Sequence, residues 1–422
     1  MGEQGRPLPH TRLFIFRALA CPRPNSHVSR KQGNLRSDLN PPGAGQGAGM
    51  TGGARHGGAH ERASLVGRLP PGALDIVGDV HGEWHALQAL LAHLGYDASG
   101  RYPAGRTLVF VGDLCDRGPD TPAVLDWFCQ AWQGGAVHAV MGNHEINLIR
   151  ADPKDGAGWF FEERAERDRA RYAPFAVASP RQRERYLEVC NRLPLTLERA
   201  DLRVVHAAWQ RAAIEAARAL ARGTARRHYD AFEEEAAERA RCGDLQRRLQ
   251  QEQADWPHDL EDGQRQPPML AAHGERELLK QAANPLKVLT TGVEAAAGQP
   301  FYAGGKWRFT ERQAWWKHYD EPVPVVVGHY WRQLVDVQAP APSMPQGEGE
   351  RCAQGGLFHG VPGNGWHGLR KNVFCVDFSV GARWSERQQG IPAERSCLHL
   401  AALRWPEREL VLDNGQVFPT VA

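Results

Sequence analysis

Five stretches of the chain share one pattern, a short apolar run that breaks off into polar residues. They are "ALDIVGDVHG" (73–82), "TLVFVGDLCDRG" (107–118), "AVHAVMGNHE" (136–145), "LRVVHAAW" (202–209) and "VPVVVGHYW" (323–331). Short runs rich in Val, Ile and Phe, bounded by Gly, predict buried strands. Between them, "GEWHALQALLAHLG" (82–95) spaces its apolar residues as a helix does and stops on Gly. "DTPAVLDWFCQAW" (120–132) does the same, with Pro122 near the first turn. Strands alternating with helices predict an α/β sheet core. In such sheets ligands sit beyond the carboxyl ends of the strands. All five polar clusters fall there, which predicts that they line one sheet edge.

The pattern changes after His206. Residues 210–255 are crowded with Ala, Glu, Arg and Gln, and breaks at Gly223 and Gly243 predict two or three helices. A helical insertion over about 210–300 follows, read either as a solvated bundle or as a cap over the mouth of a site. "PAPSMPQGEGERCAQGG" (340–356) reads as a flexible loop. Ordered structure is expected from about Leu65, giving one domain over 65–422 after a leader at 1–64.

Composition adds limits. The 422 residues suffice for a sizeable core, and 42% hydrophobic with 24% charged residues is ordinary for a globular protein. The net charge of +2 says little, but residues 1–70 hold ten Lys or Arg against three acids. That basic leader has some character of an organelle-targeting segment. The Gly-rich "PPGAGQGAGMTGGARHGG" beside it argues for disorder instead, and Met50 offers an alternative start. Eight scattered cysteines without a C-x-x-C pair predict reduced thiols and a cytoplasmic protein rather than a disulfide framework. No apolar run approaches the roughly 18 residues of a membrane span, so no membrane partner is expected.

Singly, the clusters carry little. Asp79 and His81 fit an ordinary turn, Asp116 and Arg117 fit a local salt bridge, and a lone His144, His206 or His329 fits a hydrogen-bonded core histidine. The set says more. Asp79, His81, Asp113, Asn143, His206 and His329 make a mixed oxygen and nitrogen donor shell. That shell suits Mn, Fe or Zn better than Ca or Mg, which prefer oxygen alone. With one carboxylate placed to bridge, such a shell can hold two cations about 3.5–4 Å apart.

"GDVHG", "GDLCDRG" and "GNHE", followed by two later strand-end histidines, resemble the calcineurin-like metallophosphoesterase superfamily. Within it they are most similar to the phosphoprotein phosphatase branch, which includes the symmetrical diadenosine tetraphosphate hydrolases. The motifs span 74 to 330. The resemblance implies a four-layer sandwich of two mixed sheets flanked by helices, and two divalent transition metals, Mn²⁺ first and Fe or Zn as alternatives. It implies that Asp79 and His81 hold the first metal, Asp113 bridges, and Asn143, His206 and His329 complete the second. A hydroxide shared by the metals then attacks phosphorus in line. His144 protonates the leaving oxygen, Asp116 orients its ring, and Arg117 grips phosphate.

Some positions depart from that pattern. Ala207 stands where the family commonly has Gly. In "CVDFSVGARW" (375–384), Asp377, Phe378 and Ser379 replace an Asp-Thr-Gly, leaving Asp377 as a partner of a ligand histidine or as a turn residue. "CLHLAALRWPEREL" (397–410) resembles that group's closing hairpin. Lys306 and Arg308 are the candidates for a second phosphate contact, set against plain surface charge. Glu145 is read as a brace rather than a catalytic group.

The expected function is phosphate ester or phosphoanhydride hydrolysis on a small phosphorylated substrate, a nucleotide or dinucleoside polyphosphate. The alternatives are a serine/threonine protein phosphatase and, from another class, an idle regulatory or nucleic-acid-binding protein. Against the last, no RNA-binding signature is present and the Arg-rich helices carry nearly as many acids. Oligomeric state is not legible.

Overall fold

The five apolar runs are all strands. The structure, a computed structural model, describes residues 63–303, 305–334 and 356–422, so nearly all of the leader and of the loop expected at 340–356 lies outside the described residues. In chain order come β1 (Val66–Arg68), β2 (Leu74–Val77), α1 (Trp84–Leu94), β3 (Thr107–Phe110), α2 (Thr121–Gln133), β4 (Val137–Ala139) and α3 (Asn143–Arg150). Next are α4 (Glu162–Tyr172), α5 (Pro180–Arg192), β5 (Thr196–Arg199), β6 (Leu202–Val205), α6 (Arg211–Arg218), α7 (Ala225–Arg241), α8 (Asp244–Asp255), α9 (Ala271–Ala283) and α10 (Pro285–Thr291). The chain continues through β7 (Glu294–Ala303), β8 (Lys306–Arg312), β9 (Val325–Val327), β10 (Val373–Cys375), α11 (Arg383–Gln388), β11 (Ala401–Trp405), β12 (Glu409–Leu412) and β13 (Val417–Pro419).

Two mixed sheets form the centre. One runs β13-β12-β11-β2-β3-β4 and the other β1-β5-β6-β9-β10. β2, β3 and β4 are parallel, while β11 pairs antiparallel with β2. β6, β9 and β10 are parallel, while β5 pairs antiparallel with β6. Strand alternation explains the layering. Leu74, Ile76 and Val109 join Leu202, Val204, Val326 and Phe374 in one apolar cluster between the sheets. Val77, Leu108 and Phe110, one residue out of step, pack with Leu87 and Leu90 of α1 and Val124 and Phe128 of α2. Covered on both faces, these strands read as unbroken apolar runs.

The predicted helices follow their signals. α1 stops at Gly95, which takes the left-handed conformation (φ 88°). α2 begins where the Asp120 carboxylate accepts the Ala123 N–H at 3.2 Å, with a proline in its first turn. Residues 210–255 form three helices, α6 to α8, divided at Gly223 and Gly243 as expected. The helical reading fails beyond Thr291, where β7 and β8 make an antiparallel hairpin with an irregularity between Ala296 and Phe301. α9 packs on that hairpin and on α7, and α7 reaches α3. The contact to α3 is made by Arg150, whose Nε donates to Asp230 at 2.6 Å while its guanidinium lies over the Tyr229 ring. The closing hairpin expected at 397–410 is β11–β12.

Candidate metal centre

Each polar cluster leaves a strand end, but from two sheets rather than one. β2, β3 and β4 of the six-stranded sheet deliver Asp79 and His81, then Asp113, Asp116 and Arg117, then Asn143 and His144. β6 and β9 of the five-stranded sheet deliver His206 and His329. The single edge expected from periodicity is therefore two neighbouring edges. Strand patterns report which residues are buried, not which sheet a strand joins.

The side chains converge on Asp113. Its Oδ2 lies 3.3 Å from His206 Nε2, 3.8 Å from His144 Nε2 and 3.9 Å from His81 Nε2. Asn143 Oδ1 lies 3.2 Å from His206 Nε2. Asp79 takes the His329 N–H on Oδ2 at 3.0 Å, leaving Oδ1 buried without a hydrogen-bond partner, and His329 Nε2 is likewise buried and unpartnered. The donor atoms of His81, Asp113 and His144 lie within 4.8 Å of one another, as do those of Asp113, His206 and His329. Distance alone thus groups His144 with the possible ligands, where the sequence reading made it an acid.

Backbone amides fix the turns. The Glu145 carboxylate accepts the N–H groups of Asp113 (2.9 Å), Leu114 (2.8 Å) and Gly142 (2.9 Å), tying the loop after β3 to the start of α3. Glu145 is the brace the sequence suggested. The N–H groups of Val80 and His81 both donate to the Asp113 carbonyl. His81, Asp113, Asp116, Arg117 and His329 all have positive φ, a conformation that costs a non-glycine residue on the order of 1–3 kcal/mol. Such concentration of strain in three converging loops, after β2, β3 and β9, is a mark of function. Gly142 is required by close approach, since a Cβ there would meet the Asp113 carboxylate.

The ring orientations are set from behind. His81 Nδ1 donates to the Cys115 carbonyl at 3.0 Å and His206 Nδ1 to the Val111 carbonyl at 2.8 Å, which turns both Nε2 lone pairs inward. An Arg117 N–H donates to His81 Nε2 at 3.2 Å, and the guanidinium lies over the Trp331 ring at 4.8 Å. His144 Nδ1 is 2.5 Å from Asp116 Oδ2, and the other Asp116 oxygen accepts the Trp159 indole N–H at 2.6 Å. Trp159 was missed. Nothing in "GAGWFFEER" sets it apart, and 43 residues separate it from Asp116. Asp377 acts on backbone rather than on a ring, accepting the N–H groups of Trp331 (2.7 Å) and Ser379 (2.9 Å). It holds the turn that carries His329.

Charge is crowded here. Burial first and Asp377 second push the Asp79 carboxyl well up. Burial favours a neutral Asp113, but His206 and His144 outweigh it and hold this carboxyl well below the usual range. Burial, then Arg117 and His144, push His81 well down, and burial with Arg312 does the same to His329. For His144, burial is outweighed by Asp113 and Asp116, and its pKa is raised.

The sequence model of the calcineurin-like phosphoesterase family matches residues 73–331, which include every residue placed above except Asp377 and Ser379. The chain belongs to this family. A phosphoesterase is a hydrolase, and the two mixed sheets flanked by helices are the metallophosphoesterase fold. Among curated proteins, the chain is 43% identical over 81 residues to the asymmetrical bis(5'-nucleosyl)-tetraphosphatase PrpE of Bacillus velezensis, covering 18% of this chain and 32% of that protein. It is 40% identical over 84 residues to the symmetrical bis(5'-nucleosyl)-tetraphosphatase of Ralstonia nicotianae, covering 20% and 26%. The matched part thus spans about a third of the length of these relatives or less. Among solved structures, the cold-active protein-tyrosine phosphatase of a psychrophilic Shewanella matches with TM-score 0.40 and 17% identity, over 83% of this chain and 81% of that one.

Calcineurin-like phosphoesterases use two divalent metals, and the donor set here fits that use. Asp79 Oδ1 and His329 Nε2 are buried without hydrogen-bond partners, a costly arrangement unless a cation meets them. Two imidazoles offer Nε2 with Nδ1 held by a carbonyl, the usual backing of a metal-bound histidine. Lys306 and Arg308 lie on β8 and line the same cavity as Asn143, His144 and His329. Among the described residues, no helix is long and apolar enough to cross a membrane.

Proposed function

We propose that the chain hydrolyses phosphate esters or phosphoanhydrides of a nucleotide or dinucleoside polyphosphate, with two divalent metals, Mn²⁺ in preference to Fe or Zn. The observation that carries this reading is the Asp113 carboxylate, with one oxygen 3.3–3.9 Å from three imidazole nitrogens delivered by three different strands. Asp79, His81 and Asp113 would hold one ion, and Asp113, Asn143, His206 and His329 the other. When bound, such ions activate water at neutral pH and stabilise charge on the attacking and leaving oxygens. The protein's own residues do the rest. Arg117 presents a planar guanidinium, set over Trp331, that suits two phosphate oxygens at once. His144 delivers a proton from Nε2 to the leaving oxygen, its Nδ1 proton held by Asp116 and Asp116 by Trp159. The names of the relatives support a dinucleoside polyphosphate as substrate. Buried thiols at Cys115, Cys129, Cys190 and Cys375, none in a disulfide, support a reducing, cytoplasmic setting.

A panel assay with Mn²⁺ tests the reading, using diadenosine tetraphosphate, mononucleotides, an aryl phosphate and a phosphopeptide. Turnover of the tetraphosphate above the phosphopeptide is expected. Preference for the phosphopeptide would move the chain to protein phosphatase, and no turnover at all would end the proposal.

A further inference from the structure

The cavity in front of Asp113 runs on to a second wall. Its volume is about 1900 Å³, against roughly 300–1,000 Å³ for an ordinary small-molecule pocket. α9, α10 and the β7–β8 hairpin build the far wall, which carries Arg276, Lys280, Lys287, Lys306 and Arg308. Helix and strand periods produce the cluster. Arg276 and Lys280 are four apart on α9, and Lys306 and Arg308 are two apart on β8, so each pair shares a face. Three of these cations pair with two carboxylates. Lys280 Nζ is 3.4 Å and an Arg276 nitrogen 3.6 Å from Glu277 Oε1, while Lys287 Nζ is 3.3 Å from Glu233 Oε1. Of the other acids lining the cavity, Asp152 pairs with Lys154 at 2.8 Å, Asp155 with Arg164 at 3.3 Å and Glu261 with Arg167 at 2.5 Å, while Glu294 accepts from the Thr310 hydroxyl and Glu311 lines it too.

A solvated face would leave such cations extended into water, but here they are drawn in. The side chains of Lys280 and Lys287 are only 28% and 21% exposed. Burial, then the charge of Arg308, push the Lys306 pKa down to about 8. Positive charge concentrated in a recess favours an anion richer than a single phosphate monoester.

We propose that this wall is a distal anion subsite that takes the phosphate chain of a substrate whose reacting phosphorus lies at Asp113. The assignment rests on the phosphoesterase reading for its scissile end and on Lys280, Lys287, Lys306 and Arg308 for its far end. Lys280 and Lys306 set how tightly a multi-phosphate substrate is held, and Glu277 keeps them charged and in place. A monophosphate ester has no further phosphate to place there.

The test compares wild type with Lys280→Ala, Lys306→Ala and the double variant. Three quantities are read: kcat and KM with Mn²⁺ on diadenosine tetraphosphate, the same on p-nitrophenyl phosphate, and calorimetric affinity of the metal-free protein for inorganic tripolyphosphate. The double variant should raise KM for the tetraphosphate about tenfold or more, the scale of lost charge-assisted contacts. Its kcat/KM ratio of tetraphosphate to aryl phosphate should fall by a similar factor, and tripolyphosphate affinity should fall with it. Lys280→Arg should restore most of the loss made by Lys280→Ala, which a folding defect would not explain. Equal losses on both substrates, or unchanged tripolyphosphate affinity, would overturn the subsite alone. A wild type inert to both esters whose tripolyphosphate binding still depends on Lys280 and Lys306 would overturn the phosphoesterase reading and leave the anion subsite standing.

Discussion

At the scale of single residues, the site divides between groups that face Asp113 and groups that hold them there. His144 touches both classes, since its Nε2 faces Asp113 while its Nδ1 is tied to Asp116. Removing an acid that protonates a leaving group costs roughly 10²–10⁴ in rate. His144→Ala should therefore lose at least about a hundredfold on an alkyl phosphate, far less on p-nitrophenyl phosphate, and keep its metal. Metal loss in that variant would make His144 a ligand instead. Trp159 is a positioning residue in this scheme. Trp159→Phe removes the hydrogen bond to Asp116 and keeps an aromatic ring, though a smaller one, in the buried site, so kcat on poor leaving groups should fall about tenfold with KM unchanged. A matching rise in KM would point to general disruption. Glu145 carries structure rather than chemistry. Glu145→Gln keeps its shape but gives up charged acceptance of three amides. A loss of about 1.5–3 kcal/mol is expected in urea unfolding of the metal-free protein.

At the scale of elements, the sequence disclosed strands well and their partners poorly. The runs ending at Val77, Phe110, Ala139, Val205 and Val327 are buried at most positions, with His138 and Arg203 half-buried, and short runs rich in Val, Ile and Phe are a strong local signal. Which sheet each strand joins depends on contacts hundreds of residues apart, such as β11 against β2. No window of sequence carries that. α3 was hidden for a related reason. It starts on Asn143 itself, and its cap is Gly142 braced by Glu145, so a polar cluster read as a strand end is also a helix start. The β7–β8 hairpin escaped because "GVEAAAGQPFYAGGKWRFTER" has neither clean alternation nor a two-residue turn signal, and an irregularity interrupts its register. Asp79, His81, Asp113, Asn143, His144, His206 and His329 were legible because each follows a strand directly. Trp159 was not, since its role arises only when its loop folds back on Asp116.

At the scale of the whole molecule, the insertion adds a basic wall to the cavity that Asn143, His144 and His329 also line. If Lys306 binds anions, tripolyphosphate affinity of the metal-free protein should depend on pH. Its pKa is pushed down to about 8 by burial and Arg308, against the pull of Glu277 and alongside Lys154 and Lys280. A lowered lysine pKa means that charge is present below about 8 and lost above it, so affinity should weaken as pH rises through about 8. Lys306→Arg should remove that dependence, because arginine stays charged. The central claim concerns the metal centre, where six side chains from five loops are proposed to hold two cations. Metal analysis of protein reconstituted with Mn²⁺ tests it most directly. About two ions per chain are expected in wild type and about one or none in Asp113→Asn, the variant that removes the shared carboxylate charge. A wild type that binds no metal, or an Asp113→Asn variant that keeps the full complement, would contradict it.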